Sequence, residues 1–280
     1  MDLRCMPCFI KQYTREMEGS SLDKDQKEVI VREMLSLLST MDYSQAPVDV
    51  SLLMHDRMKK LGVSDDPYKD LKSLSTMKAL EHVKEIEKEV EGSEDPIFEA
   101  VLASLAGNVI DYGAKNELDL HEVLERARTK GFSLNDHGLF RDKLRSAREV
   151  VIFLDNSGEV VFDHLLMRTI HREYPGIRFK AVVKKVPLLN DVTLQDSIDA
   201  GIKEEYIELV ELPNEGWIKP EQLSNFPQAD IFLSKGQGNF ESLSDASGVF
   251  FLLVTKCDVV AEYLGVEVGE AVFKYIENEK

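Results

Sequence analysis

The first half of the chain places apolar and charged positions with the period of an α-helix. Apolar residues recur at spacings of three and four within Val29–Leu38, and the charged stretch Met77–Val90 continues a helical pattern. Gly92–Pro96 contains the residues that end such a helix, and a further helix is predicted from Ile97. We therefore expect residues 1–147 to form a helical amino-terminal portion.

After about residue 148 the pattern changes to short apolar runs separated by helical segments. The predicted strands are Val150–Leu154, Ile177–Val183, Tyr206–Val210, Asp230–Leu233 and Val249–Thr255, and the predicted helices between them are Phe162–Arg172, Leu194–Ala200 and Val259–Leu264. Such alternation is typical of a mainly parallel sheet covered on both faces. The expected fold class is α/β, with the helical portion packed on a Rossmann-like α/β/α core, residues 148–280. Since no repeat or linker separates the two parts, we expect one compact unit.

Composition narrows the class of protein. The chain has 280 residues, 43% of them hydrophobic, which is ample for a sizeable core. Its formal net charge of -17 argues against nucleic-acid binding, because nucleic-acid phosphates require neutralisation by Lys and Arg. The chain contains neither a membrane-spanning apolar run nor a signal-peptide core. We expect a cytoplasmic protein that binds neither nucleic acid nor membrane.

Candidate chemistry begins where the first predicted strand ends. Asp155 and Asn156 follow the apolar run, and Ser157-Gly158 permits a sharp turn before the next helix. Open α/β sheets bind ligands at the carboxyl ends of their strands, and an unpaired buried carboxylate is costly. These residues therefore indicate a ligand site, the alternative being an aspartate that caps the following helix.

Three more strands of the second half lead into polar or small residues. The segments are Asn190–Thr193, Ser234–Glu241 and Thr255–Asp258. Because the carboxyl ends of parallel strands lie at one edge of a sheet, we expect these segments to converge. Asp155, Asn156 and Asp191 are oxygen donors that suit a hard divalent cation such as Mg²⁺ or Mn²⁺.

Two features of these segments suit an anion. Lys256 ends an otherwise apolar strand, where it would neutralise a phosphate or carboxylate, unless it extends to the surface. Gly236 and Gly238 would let backbone N–H groups approach an anion, although an ordinary glycine-rich turn explains them equally well.

The absence of several motifs excludes some classes of reaction. The sequence has no GxxxxGK[ST] phosphate-binding loop and no GxSxG turn, and GQGNFE lacks the third glycine of a dinucleotide-binding loop. A phosphatase that uses its first-strand aspartate as the nucleophile usually carries DxD, whereas Ser157 occupies the second of those positions. Asp155 is therefore interpreted as a metal ligand and not as a nucleophile.

The three cysteines leave two interpretations. Cys5 and Cys8 form a CxxC pair and Cys257 is distant in sequence, so they cannot build a disulfide framework. A structural zinc site normally has four ligands. The pair is either two reduced thiols on the first helix or a metal or redox site, with or without Cys257 as a third member.

Five segments carry a family resemblance. They are GNVIDYG (107–113), DNSGEVVFD (155–163), VKKVPLLNDVTLQDSIDAGI (183–202), KGQGNFESL (235–243) and LLVTKCDVVAEYLGV (252–266). In this order they resemble the metal-dependent damage-control phosphatases, long catalogued as a domain of unknown function, family 89. Cys5-Met6-Pro7-Cys8 resembles the CxxC-bearing, mostly archaeal and microbial subfamily. The resemblance spans essentially the whole chain and implies hydrolysis of small phosphorylated metabolites.

The resemblance also implies residue roles. A divalent cation (Mg, Mn, Co or Ni) would be held by Asp155, Asn156 and Asp191. Glu159 and Lys256 match family positions that engage substrate. With the other strand-end residues, the expected substrate-binding set is Glu159, Lys256, Ser234, Gly236 and Asn239, and the expected supporting set is Asn108, Asp111 and Asn190.

These observations together predict a metal-dependent phosphomonoester hydrolase in which Lys256 neutralises charge on the phosphoryl group. Water or a carboxylate attacks, and the absent DxD favours water. Two alternatives stay open. One is a metal-dependent binder or sensor without turnover. The other is a methyltransferase, which should carry a glycine-rich loop where Asp155 and Asn156 stand. The physiological substrate, the native metal and the oligomeric state are not specified by these residues.

Overall fold

A computed structural model of the chain describes residues 1–18, 20, 22–110 and 120–277, with a seven-stranded sheet at its centre. The strands are β1 Leu134–Asn135, β2 Glu149–Phe153, β3 Arg178–Val183, β4 Ile207–Glu211, β5 Ile231–Lys235, β6 Val249–Val254 and β7 Ala271–Ile276. Their spatial order is β1-β7-β6-β5-β2-β3-β4. Strand β7 runs antiparallel to β6, and the other pairs are parallel. The predicted α/β class with a mainly parallel sheet is confirmed.

Helices precede the sheet and alternate with its strands. They are α1 Met6–Glu18, α2 Lys24–Thr40, α3 Pro47–Lys60, α4 Lys69–Gly92, α5 Pro96–Ile110, α6 Leu120–Lys130, α7 His137–Leu144, α8 Val160–Glu173, α9 Leu194–Asp199, α10 Gly236–Leu243 and α11 Asp258–Leu264. Within the described ranges, no helix has the length and apolarity needed to cross a membrane.

The two faces of the sheet bury different helices, because successive side chains of a strand point to opposite faces. Val150 and Ile152 of β2 belong to the core formed with α4, α5 and α8. Val151 and Phe153 belong to the core that includes residues of α10 and α11. The result is a helical layer on each side of the sheet.

Helices α1, α2 and α3 enclose a smaller core of their own. Phe9, Ile30 and Met54 are among its buried members, one from each helix. A second contact joins this bundle to the sheet, since Val48 at the start of α3 packs with Leu188 and Trp217 from loops that follow β3 and β4. The bundle therefore lies against the loops at the carboxyl ends of the strands.

The five predicted strands are all found, with small shifts at their ends. Two strands were not predicted: β1 has two residues, and β7 lies antiparallel outside the strand–helix alternation. The segment with Gly236 and Gly238, which the sequence left open between an anion-binding loop and an ordinary turn, folds as α10. This helix begins directly after β5, where Gly236 adopts a φ of 74°. Gly265, with a φ of 70°, ends α11 as predicted.

Candidate metal and phosphate site

The loops after β2 and β3 lie side by side at the carboxyl edge of the sheet. Asn156 and Asp191 form an isolated antiparallel bridge. The Val192 N–H donates to the Asp155 carbonyl at 2.8 Å, and the Ser157 N–H donates to the Asn190 carbonyl at 3.1 Å. These backbone bonds fix the separation of the two loops, and with it the placement of the two aspartates.

A cavity of about 490 Å³ opens where these loops meet. Five residues of the predicted site line its wall: Asp155, Asn156, Asn190, Asp191 and Lys256. The predicted convergence of the strand ends therefore brings together two carboxylates, two amides and an ammonium group from three loops.

The donor atoms of the cavity suit a divalent cation. Asn156 donates through Nδ2 to Asp155 Oδ2 at 2.8 Å and to Glu159 Oε2 at 3.1 Å, which directs its Oδ1 away from both carboxylates. Asp191 Oδ2 forms a long ion pair with Lys184 Nζ, at 3.4 Å, and has no other partner within the described part of the chain. A buried carboxylate oxygen left in this state is suited to an added cation.

The charges of the two aspartates lead to the same conclusion. Burial, followed by the negative charges of Asp191 and Glu159, raises the pKa of Asp155 to about 8. Burial also raises the pKa of Asp191. The positive charges of Lys256 and Lys184 oppose the rise in the pKa of Asp155 without cancelling it. Two buried carboxylates whose charge is only partly offset fit a divalent metal ion. The described residues contain no group of three or more His, Cys, Asp or Glu side chains placed to hold a metal ion, so a cation here would draw on two carboxylates and an amide.

A second charged cluster lies beneath the cavity and was not predicted. Lys235, fully buried at the end of β5, forms ion pairs with Glu159 and with Asp163, the latter at 2.6 Å, and donates to Ser104 Oγ at 2.6 Å. Burial alone would lower the pKa of Lys235, but the Asp163 and Glu159 carboxylates raise it. Since Glu159 also accepts from Asn156, this cluster orients the amide side of the site.

The sequence signal for Lys235 was the same as for Lys256, because both lysines end apolar strands. Lys256 is exposed and lines the cavity. Its backbone N–H donates to Gln237 Oε1 at 2.7 Å, which ties the loop after β6 to α10. The two lysines therefore differ in burial: Lys256 lies at the cavity, and Lys235 lies inside the core.

Other members of the predicted substrate-binding set lie behind the cavity wall. Glu159 is 1% exposed, and Ser234 is fully buried. Asn239 donates to the Leu154 and Lys235 carbonyls at 3.0 and 2.9 Å and accepts from Lys184 Nζ at 3.1 Å. The contacts of Asn239 hold the strand ends and Lys184 in place. A role of Glu159, Ser234 and Asn239 in substrate binding stays a prediction.

The glycines of the GQG segment make room for side chains of the site. A Cβ at Gly236 would overlap the Asp155 carboxylate. A Cβ at Gly238 would lie 2.7 Å from Trp217 Nε1. Gly158 serves a comparable purpose, since its Cβ would lie 2.9 Å from Ser75 Cβ on α4. Close approach is therefore the reason for glycine at these three positions.

Two of the predicted supporting residues cannot be placed. Asp111 lies outside the described residues, as does the side chain of Asn108. The preceding Gly107 is described, and a Cβ there would lie 2.8 Å from Phe162 Cδ2 and 3.1 Å from Glu159 Cα. Gly107 thus permits α5 to pack closely on the start of α8, next to the residue that contacts Lys235.

Helices α1 and α3 supply a wall of the cavity that the sequence did not predict. Their contribution includes Phe9, Gln12, Val48 and Ser51, and Trp217 lines the cavity with them. These residues carry no metal-binding or phosphate-binding signal, so only their tertiary placement identifies them.

All three cysteines also line this cavity. They are free thiols, and burial raises the pKa of Cys5 to about 11. Cys257 Sγ accepts from Gln237 Nε2 at 3.4 Å. The structure brings Cys257 to the same cavity as the CxxC pair, and the choice between inert thiols and a metal or redox site stays a prediction.

Comparison with known proteins gives concordant matches over the whole chain. A family model described as the damage-control phosphatase ARMT1-like domain matches residues 1–272. A damage-control phosphatase of Archaeoglobus fulgidus is 32% identical over 293 aligned residues, covering 98% of each chain. A damage-control phosphatase of Pyrococcus horikoshii is 29% identical over 281 residues, covering 96% of this chain and 95% of that protein. The crystal structure of a DUF89 family protein from P. horikoshii matches with a TM-score of 0.83 and 26% identity, covering 99% of each chain.

Proposed function

Because the chain belongs to the damage-control phosphatase family with the ARMT1-like domain, we propose that it is a metal-dependent phosphomonoesterase for small phosphorylated metabolites. The family supports a phosphatase role in metabolite house-cleaning. The observation that carries the metal-dependent proposal is the convergence of Asp155, Asn156, Asp191 and Lys256 on one cavity. The CMPC segment at residues 5–8 supports membership of the CxxC-bearing subfamily.

The metal would be held by the Asp155 and Asp191 carboxylates and the Asn156 amide oxygen. Mg²⁺, Mn²⁺, Co²⁺ and Ni²⁺ are the cations proposed for this set. When bound, such a cation polarises a phosphoryl oxygen and offsets the negative charge that otherwise repels a phosphate dianion. Lys235 and Glu159 orient Asn156 from below, as their contacts indicate.

Lys256 supplies the cationic side of the cavity. Its ammonium group would contact the phosphoryl oxygens as negative charge develops on them. Lys256 lies on a different loop from the carboxylates. It would therefore bind the phosphate without itself being a ligand of the metal. A binder without turnover would use the same residues, so phosphate release distinguishes the two proposals.

The proposal is tested by measuring phosphate release from a panel of phosphate esters with each metal. We expect release with at least one divalent cation, loss of release in excess EDTA, and recovery when the metal is restored. Turnover that persists in EDTA with negligible bound metal would contradict metal dependence. Metal and ester binding with no release from any ester would favour the sensor.

The ligand assignment is tested by Asp191→Ala, with Asp199→Ala as its control. Asp199 is an exposed carboxylate at the end of α9, eight positions further along the chain. Removing a ligand should abolish metal binding in calorimetry, whereas removing the surface carboxylate should leave it unchanged. Normal metal affinity in Asp191→Ala would remove this residue from the ligand set.

The cation assignment is tested by Lys256→Met, with the exposed Lys185→Met as its control. Lys256→Met should retain metal but lower kcat/KM by about a hundredfold, a typical effect of one electrostatic donor on a transition state. Steady-state kinetics at saturating metal give the result. Equal kcat/KM values for the two variants would show that Lys256 does not contact the phosphoryl group.

A further inference from the structure

Trp217 is the single tryptophan of the chain and lies on the wall of the cavity. It follows β4 in a loop and is 4% exposed. Val48 of α3 and Leu188 of the loop after β3 pack against it. The indole is therefore held by two separate parts of the fold beside the loop that carries Asp191.

The indole N–H of Trp217 is buried, and it donates no hydrogen bond to any residue in the described part of the chain. Tryptophan N–H groups usually find a hydrogen-bond partner when buried, because an unpaired buried donor is unfavourable. Nε1 lies next to Gly238, which also lines the cavity. A Cβ at Gly238 would meet Nε1, so glycine is what allows α10 to lie this close to the indole edge.

A lysine connects the indole to the candidate metal ligands. Lys184 Nζ lies 4.7 Å from the Trp217 ring centroid and 3.4 Å from Asp191 Oδ2. The Asp191 carboxylate and the indole thus both lie near one buried lysine. A phosphate ester held through a metal ion at Asp155 and Asp191 would place its remaining atoms in the cavity that Trp217 also lines.

The size of the cavity is consistent with such a ligand. Its volume of about 490 Å³ is within the range of sites that enclose a whole small molecule, and its wall includes apolar residues such as Phe9 and Val48. A phosphate group alone does not need an apolar wall. The carbon atoms of an ester's alcohol part, in contrast, could pack against one.

From these contacts we propose that Trp217 recognises the alcohol part of the phosphate ester, and that its indole N–H donates a hydrogen bond to an oxygen there. The inference rests on the proposed phosphatase function. It assigns to this site esters whose alcohol carries a hydroxyl or ether oxygen close to the phosphate, in preference to plain alkyl phosphates. A buried donor discriminates in this way because the ester without oxygen leaves it unpaired.

The test compares 2-hydroxyethyl phosphate with ethyl phosphate, which differ by one oxygen. With the metal-loaded full chain, kcat/KM should be about tenfold higher for the hydroxylated ester. Trp217→Phe keeps an aromatic ring but loses the N–H, so the ratio of kcat/KM between the hydroxylated ester and ethyl phosphate should fall to about one. Tyr263→Phe, which alters an exposed aromatic outside the cavity lining, should retain the preference.

A second variant moves the indole without replacing it. Gly238→Ala places a Cβ against Nε1 and should lower the same preference, so the inference stays testable if Trp217→Phe does not fold. An unchanged preference in whichever of the two variants folds would overturn the inference and leave the phosphatase proposal intact.

Binding gives a readout that does not depend on turnover. As the sole tryptophan, Trp217 reports its own surroundings by fluorescence. With divalent metal present, 2-hydroxyethyl phosphate should change the emission more than inorganic phosphate or ethyl phosphate does. If no ester is hydrolysed, the phosphatase proposal fails, and the role of Trp217 is then tested by this fluorescence titration alone. Identical emission changes with all three compounds would then overturn the role of Trp217.

Discussion

At the scale of single residues, the lysines in and around the candidate site differ in how deeply their side chains are buried. Lys184 and Lys235 are buried at the ends of β3 and β5, whereas Lys256 is exposed after β6. Each buried lysine has carboxylate partners, Asp191 for Lys184, and Glu159 with Asp163 for Lys235. Burying these charges is tolerable only because they are paired.

Lys235→Met should therefore be strongly destabilising. The substitution leaves the Glu159 and Asp163 carboxylates buried without their cation, and breaking a buried pair in this way costs about 3–5 kcal/mol. Urea denaturation measures the loss. Lys274→Met is the control, because Lys274 is 41% exposed and pairs with Asp136 at 3.0 Å, a contact worth at most about 1 kcal/mol. Equal losses in the two variants would contradict the paired-core interpretation.

Gly236→Ala should damage the site more than the fold. Gly236 and Gly201 both have positive φ, 74° and 89°, so alanine strains the backbone at either position. A Cβ at Gly236 displaces the Asp155 carboxylate, whereas nothing lies within 4 Å of a Cβ at Gly201. Backbone strain should cost at least about 1 kcal/mol of unfolding free energy in each variant, and we expect weakened metal binding only in Gly236→Ala. Calorimetry that finds equal metal affinity in both variants would contradict this role.

At the scale of elements, α4 supports both loops that carry the candidate metal ligands. Thr76 donates to the Ser157 carbonyl at 3.1 Å, beside the close contact of Ser75 with Gly158. Lys72, almost fully buried, pairs with Asp66 at 2.8 Å and with Asp196 at 2.9 Å. One helix from the amino-terminal part thus contacts the loop after β2 and the helix that follows Asp191.

Lys72→Met should weaken metal binding without removing a ligand. Asp196 accepts from the Thr193 N–H and hydroxyl at 2.9 and 2.6 Å, so losing its cation loosens the turn two residues after Asp191. Supporting contacts of this kind typically change metal affinity by at least about tenfold. Calorimetry with Lys69→Met, an exposed lysine of the same helix, is the control. Lys72→Arg should restore most of the affinity, and a Lys72→Met affinity equal to that of Lys69→Met would show that α4 does not position the ligand.

At the scale of the whole molecule, aromatic contacts join the helical layer to the edge of the sheet. The His137 ring of α7 lies 4.8 Å from Phe98 of α5 and 6.4 Å from Phe273 of β7, measured between ring centroids. Burial lowers the pKa of His137, an effect that Asp95 opposes and Arg141 reinforces. The folded protein therefore favours the neutral ring.

This preference predicts a pH dependence of stability. Because the pKa of His137 is lower in the folded chain than the value of about 6.5 in an unfolded one, stability is lost as the pH falls below about 6.5. His137→Phe keeps an aromatic ring without a titratable group, and should lose less unfolding free energy than the unaltered chain between pH 7.5 and pH 5.5. The two losses are compared by urea denaturation at each pH. Equal losses would show that His137 does not contribute.

The sequence alone predicted most of the strands and the candidate metal ligands. Apolar runs predicted the strands β2 to β6, because burial on both faces makes such strands visible in local composition. Asp155, Asn156 and Asp191 were identifiable because polar residues at the ends of parallel strands must meet at one edge of the sheet. The family resemblance of the ordered motifs added the function. The boundary between residues 147 and 148 stays a prediction.

The surroundings of these candidate metal ligands are visible only in the tertiary structure. Trp217, Lys72 and the wall formed by α1 and α3 reach the site from distant parts of the chain, and their local patterns are those of ordinary core or surface residues. The fold also separated Lys235 from Lys256, which the sequence shows in equivalent positions at the ends of strands. Depth of burial and choice of partner arise from packing between elements, and periodicity along one element carries no information about them.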